Sequence, residues 1–241
     1  MDHKRNTTLL FSFLFFITYL ITIASSKDLC PGTPNTTAAP GSTLSARGDA
    51  TVNHRVISLS IYTVQISSQI PPEVGDLPYL EKLMLHKITN ITGQIPSTIT
   101  KLKYLRFIRL SWLNLTGPVP DFLSQLMNLE YLNLSFNQLS GSIPSSLALL
   151  PKLLYVELSR NKLTGTIPES FGSLQTELTY LILSHNQLSG SIPKSLGNID
   201  FQSFNVSYNR LCGLIPSLQG FDYYTYFHNK CLCGAPLDSC K

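Results

Sequence analysis

Four cysteines crowd one end of this chain: Cys212, Cys231, Cys233 and Cys240. Thiols so placed can cross-link as disulfides or, with His228 added, ligate a metal ion. The expected set is Cys212–Cys231 with Cys233–Cys240. Spacing alone admits three pairings, and the near neighbours Cys231 and Cys233 are not expected to pair with each other. Cys30 makes the total of five odd, so it is expected to stay free or to pair with another molecule. Other reactive constellations are missing. There is no Gly-x-Ser-x-Gly, P-loop or His-Glu-x-x-His motif. Carboxylates are scattered and the five histidines are dispersed. Acid–base or nucleophilic catalysis needs such groups within hydrogen-bond reach of one another. The chain is therefore read as a non-enzyme that needs no cofactor and no metal.

The compartment decides between the two uses of sulfur. His3, Lys4 and Arg5 precede the apolar run LLFSFLFFITYLITI, and small residues follow at Ala24 and Ser26. A basic start, a short apolar stretch and small residues are the marks of a secretory signal peptide, here assigned to residues 1–26. The run is short for a membrane span. Secretion exposes the chain to an oxidising compartment, which favours disulfides over a metal site.

The rest must be built from something that buries apolar surface. Of the 241 residues, 43% are hydrophobic and only 13% charged, with a net charge of +4. That balance excludes disorder and offers no basic arm for nucleic acid. A pattern L-x-x-L-x-L-x-x-N-x-L-x-G-x-I-P-x-x-L-x-x-L recurs, with anchors at Val56, Leu80, Leu105, Leu129, Leu153, Leu178 and Phe201. The step between anchors is 23 to 25 residues. This is the period of leucine-rich repeats. The expected fold is an α/β-type repeat solenoid: a right-handed superhelix with a parallel β-sheet on the concave face and short helical turns on the convex side.

Each column has a physical task. Leu132 and Leu134, Val156 and Leu158, and Leu181 and Leu183 alternate with period two and should point inward from short strands. Asn137, Asn161, Asn186 and Asn209 should form a ladder of buried amides bridging successive coils. Val64 and Leu113 interrupt that column nearer the start. Gly93, Gly117, Gly141, Gly165 and Gly190 suit a tight turn. The organisation read from this is a signal peptide at 1–26, an irregular linker at 27–54, a repeat array at 55–210 and a disulfide-stapled cap at 211–241. The linker is rich in Pro, Gly, Ser, Thr and Ala and leaves the front of the array without a visible cap, a predicted liability. Glycosylation sequons lie at Asn35, Asn90, Asn114, Asn133 and Asn205, with Asn90 and Asn114 expected to be the more accessible.

These stretches resemble one family. VGDLPYLEKLMLHKITNITGQIP, IRLSWLNLTGPVPDFLSQL, LSHNQLSGSIPKSLG, QSFNVSYNRLCG and YFHNKCLCGAPLDSCK are similar to the plant polygalacturonase-inhibiting proteins over residues 55–241. The chain resembles a shortened member: the DLC motif at Asp28–Cys30 is present, the cap that follows it in the family is replaced, and SLGNIDF runs directly into QSFNVSYN.

The resemblance implies a secreted cell-wall defence protein whose concave face grips a fungal or insect polygalacturonase, with pectin or polygalacturonate as a further ligand. No nucleic acid and no membrane span are implied. The outward strand positions are then the partner-binding candidates: Lys82, Met84, His86 and Lys87; Phe107, Arg109 and Trp112; Tyr131 and Phe136; Tyr155, Glu157 and Arg160; Tyr180, Ile182 and His185. Ser111, Asn133, Ser135, Ser159, Ser184, Ser203, Asn205, Ser207 and Tyr208 fall at equivalent places. Aromatics and arginine are favoured at interface centres. The column Phe107, Tyr131, Tyr155 and Tyr180 also admits simple stacking that stiffens a sheet. A shortened member without activity, a peptide- or receptor-binding role, and ice binding are the alternatives on the same scaffold.

Overall fold

A computed structural model describes residues 43–49, 55–63, 67–172, 178–218 and 220–240. The signal peptide, Cys30 and Asn35 lie outside them. The chain divides into two compact units, Met1–Leu115 and Thr116–Lys241.

In the first unit, β2 (Arg55–Tyr62), β4 (Lys82–His86) and β6 (Phe107–Ser111) pair in parallel. β1 (Thr43–Asp49) pairs antiparallel with β2, on the side away from β4. The stretch expected to be an irregular linker therefore contains a strand, and the expected open edge of β2 is hydrogen-bonded. A second parallel sheet joins β3 (Ser68–Gln69), β5 (Ile91–Gly93) and β7 (Asn114–Leu115). Leu83, Leu85, Ile108 and Leu110 point inward and are fully buried, each contributing roughly 1.5–3 kcal/mol by leaving water. Ile88 and Leu113 fill with apolar side chains the column that carries asparagine later on.

The second unit repeats the plan with greater regularity. β8 (Tyr131–Asn133), β10 (Tyr155–Glu157), β12 (Tyr180–Ile182) and β13 (Ser203–Asn205) form a parallel sheet. β9 (Ser140–Gly141) pairs with β11 (Lys162–Leu163), and β14 (Cys212–Leu214) with β15 (Cys231–Cys233). Two disulfides, Cys212–Cys231 and Cys233–Cys240, staple the end.

The helical turns expected after each Ile-Pro step are 3-10 turns in both units, such as Ser97–Lys101, Ser145–Leu149 and Lys194–Asn198. Proline has no N–H to lose and presets its own φ. Its carbonyl opens each turn by accepting from the third residue on: Pro96 from Ile99, Pro144 from Leu147, Pro193 from Leu196. Packing of these turns is close at Gly172, where a Cβ would stand 2.2 Å from Ser195 Oγ. Only a glycine fits there.

The asparagine ladder ties coil to coil. Asn186 Nδ2 donates to the carbonyls of Leu158, Leu183 and Ser184, while its Oδ1 accepts from Leu163 N–H. Asn161 and Asn209 repeat this geometry. Asn229 continues it, donating to Val206 and Tyr226 and accepting from Leu211. The region read simply as a cap thus contains one more coil, with Tyr226 fully buried at its centre.

Candidate protein-binding face

The strand registers of the first unit bring Met84 opposite Arg109 and His86 opposite Ser111, with Tyr62 opposite His86. His86 Nδ1 lies 2.9 Å from Ser111 Oγ, and Arg109 Nε donates to the same oxygen at 3.2 Å. Tyr62, absent from the sequence candidates, donates to Met84 Sδ at 3.4 Å. Burial, then the Arg109 and Lys87 charges, hold the His86 pKa below its ordinary value. Lys82, Lys87 and Trp112 are exposed. This face is cationic.

In the second unit Tyr131, Tyr155 and Tyr180 stand in one register column. The rings of Tyr131 and Tyr155 stack at 4.2 Å, and Tyr155 and Tyr180 follow at 5.3 Å. Glu157 sits beside them. Its Oε2 accepts from Tyr155 Oη at 2.8 Å and from Asn133 Nδ2 at 2.5 Å, and its Oε1 accepts from Ser159 Oγ at 3.2 Å. Burial and the Glu157 carboxylate raise the Tyr155 pKa, so the phenol stays a donor. Three donors thus fix the position of the Glu157 carboxylate.

A second column runs along the strand ends. Phe136, Arg160, His185, Tyr208 and His228 all have positive φ, between 54° and 55°. L-residues pay about 1–2 kcal/mol for this conformation, yet none of the five is glycine. The Arg160 guanidinium lies 5.0 Å from the Phe136 ring centre, within cation–π range. His185 stacks on Tyr208 at 4.2 Å, and Tyr208 on His228 at 4.4 Å. Burial, then Arg160 and His228, lower the His185 pKa. Ile182 lies between the columns and is half-buried.

The structure departs from the sequence expectation in three respects. Ser111, Ser135, Ser159, Ser184 and Ser207 are buried beneath the face. Asn133 is buried too, with Oδ1 accepting from Ser135 N–H and Oγ–H while Nδ2 binds Glu157. Asn90 and Asn114 are exposed, the latter donating to the Thr89 carbonyl, and Asn205 is half-buried. His228, read only as a possible metal ligand, belongs to the stacked column, and no metal-binding group of side chains occurs among the described residues. The His185-Asn186 pair recurring as His228-Asn229 was the available signal. A shortened last coil obscured it.

Repeating strands, 3-10 turns and an asparagine ladder define a leucine-rich-repeat protein. The Leucine Rich Repeat family model matches residues 128–150, 152–174 and 177–199. The chain is 56% identical to "Polygalacturonase inhibitor 2" of Arabidopsis thaliana over 267 residues, covering 80% of this chain and 81% of that one. It is 49% identical over 336 residues to "Polygalacturonase inhibitor 1" of the same plant, covering both chains in full. The chain belongs to this polygalacturonase-inhibitor family. The 336 aligned positions exceed its own 241 residues, in keeping with a shortened member. Among solved structures it is similar to a plant ice-binding protein, with 34% identity, a TM-score of 0.50, and coverage of 97% of this chain and 98% of that one.

Proposed function

We propose that this chain is a secreted inhibitor of fungal polygalacturonase that binds the enzyme through its outward strand faces and keeps pectin from the enzyme's cleft. Family membership makes polygalacturonase the partner class. One observation supports the choice of face: the second unit spends left-handed backbone strain on Phe136, Arg160, His185 and Tyr208, where glycine would relieve it. Large stacked rings and a guanidinium are the anchors that protein interfaces favour. The cationic cluster of Lys82, Lys87 and Arg109 suits acidic groups on the enzyme or on polygalacturonate. Disulfides suit the oxidising cell wall, and no helix among the described residues is long and apolar enough to cross a membrane.

The likeness to an ice-binding protein supports a second reading. Ice binding calls for flat, regular rows of short side chains, which these stacked rings do not offer. Immobilised polygalacturonase exposed to the purified chain tests the first reading: saturable binding, weakened about tenfold or more by Tyr155→Ala, is expected for a central aromatic anchor. Thermal hysteresis without enzyme binding would favour the second.

A further inference from the structure

On the face of the first unit a guanidinium and an imidazole stand side by side. Arg109 Nη2 lies 3.5 Å from His86 Nε2. Arg109 Nε donates to Ser111 Oγ at 3.2 Å, and His86 Nδ1 lies 2.9 Å from that same oxygen. A guanidinium can only donate. Its contact with His86 Nε2 therefore uses the lone pair of that nitrogen, which places the imidazole proton on Nδ1, facing Ser111 Oγ. In this neutral state the pair is satisfied from within. A second proton, on Nε2, sets N–H against N–H and turns the contact repulsive. It also leaves two cationic donors side by side, to which one carboxylate can offer an oxygen each. His86 and Arg109 are half-buried and so within reach of solvent, whereas Ser111 is buried beneath them and only orients them. The groups facing the imidazole are Tyr62 from β2, Arg109 and Ser111 from β6, and Lys87 at the end of its own strand. No carboxylate among the described residues acts on it. An anion that relieves the repulsion has to come from outside.

We propose that His86 and Arg109 form a proton-coupled clamp for the carboxylate of a galacturonate unit, gripping it once the imidazole gains its second proton and letting go when that proton is lost. Lys82 and Lys87 are exposed before and after His86 along the same strand, and neither makes an ion pair among the described residues. A uronate chain carries a carboxylate on every unit, so it can meet this line of cations repeatedly, where a single acidic side chain of a protein meets one. The inference rests on the contact with polygalacturonate proposed for this cluster, and not on inhibition of the enzyme. Burial, Arg109 and Lys87 hold the imidazole below its ordinary pKa without a ligand. A bound carboxylate raises it again, so by linkage binding takes up a proton.

The test is a calorimetric titration of the full secreted chain with trigalacturonate at about pH 5 and about pH 7.5, where the sugar carboxylates are ionised and only an imidazole changes charge. Binding about tenfold tighter at the lower pH is expected, the equivalent of roughly one unit in the imidazole pKa. Proton uptake should appear as a heat that depends on the buffer. His86→Gln cannot gain the proton and should bind equally weakly at both pH values, and Arg109→Gln should lose the tight binding at about pH 5. Should the variants not fold, the wild-type chain labelled at histidine gives a second readout: the His86 ring signal should titrate at higher pH with the trimer present. The methyl-esterified trimer should produce neither effect. Equal affinity at the two pH values, no proton uptake, an unmoved His86 titration, or a pH dependence that survives in His86→Gln would each overturn the proposal. So would acetyl-aspartate amide producing the effect where the trimer does not, which would assign the clamp to a protein carboxylate. None of these readouts involves polygalacturonase, so a failure here and a failure of the inhibitor reading are told apart.

Discussion

The imidazole of His185 lies parallel to the phenol of Tyr208, ring centres 4.2 Å apart and planes 9° apart. Tyr208 is in turn covered by His228 at 4.4 Å. Arg160 and His228 both disfavour a proton on His185, after burial itself. The pKa of His86 in the first unit is lowered the same way, by burial, then Arg109 and Lys87. Both histidines bind protons less readily in the folded protein than in the unfolded chain. Stability is therefore complete above the ordinary histidine value of about 6.5 and falls as the pH drops through it toward the depressed folded values. Urea midpoints measured at about pH 7.5 and about pH 5.5 should differ, the lower pH being less stable. His86→Gln with His185→Gln should flatten the difference.

Substitution in the left-handed column should separate the proposed binding from folding. Arg160→Gly removes a cation and a strained side chain at once. Relief of about 1 kcal/mol is offset by the similar entropy cost of glycine, so the denaturation midpoint should barely move. Affinity for the partner should fall about tenfold or more, the loss of one interface arginine. Calorimetric unfolding alongside the binding isotherm checks both halves.

The ladder should be costly to break. Asn186→Ala abandons three carbonyls and the Leu163 N–H inside the protein. A loss of about 2–4 kcal/mol is expected, since buried groups left unpaired cost about 1–3 kcal/mol each and partial relaxation recovers some of it. Asn229→Ala should also destabilise, because it cuts the last coil from Val206 and Leu211. Chemical denaturation reads both.

Gly172 tests the packing of the 3-10 turns. Alanine there would place its Cβ 2.2 Å from Ser195 Oγ and 2.5 Å from the Ser195 carbonyl carbon. A hydroxyl can rotate away, but backbone cannot. Gly172→Ala should cost about 1–3 kcal/mol by overpacking, and Gly172→Ala with Ser195→Ala should recover only part of it. Thermal unfolding of the two variants decides.

The solenoid was legible because burial repeats with the coil. Leu132, Val156 and Leu181 occupy one column, and each must be apolar for the same reason. The asparagine ladder was legible through its register, and it ended too early only because the step from Tyr208 to His228 is shorter than the others. The strand Thr43–Asp49 was not legible, since in TLSARGD only Leu44 and Ala46 alternate as apolar residues, too short a signal amid Pro, Gly, Ser and Thr, and its pairing is set by the edge of β2. The outward face was only half legible. Period two marks which residues leave the core, but Asn133 and the serines are covered by neighbours such as Glu157 that lie 24 residues away. Lateral contacts of that kind have no signature in local spacing.

One measurement bears on the inhibitor reading most directly. Purified chain is added in increasing amounts to a fungal endopolygalacturonase cleaving polygalacturonate, and new reducing ends are followed. A dose-dependent fall in rate is predicted, shifted to about tenfold or higher concentration by Tyr155→Ala, and likewise by Arg160→Gly at a nearly unchanged unfolding midpoint. Folded chain that inhibits no enzyme of a fungal panel, or inhibition indifferent to both substitutions, would contradict the account.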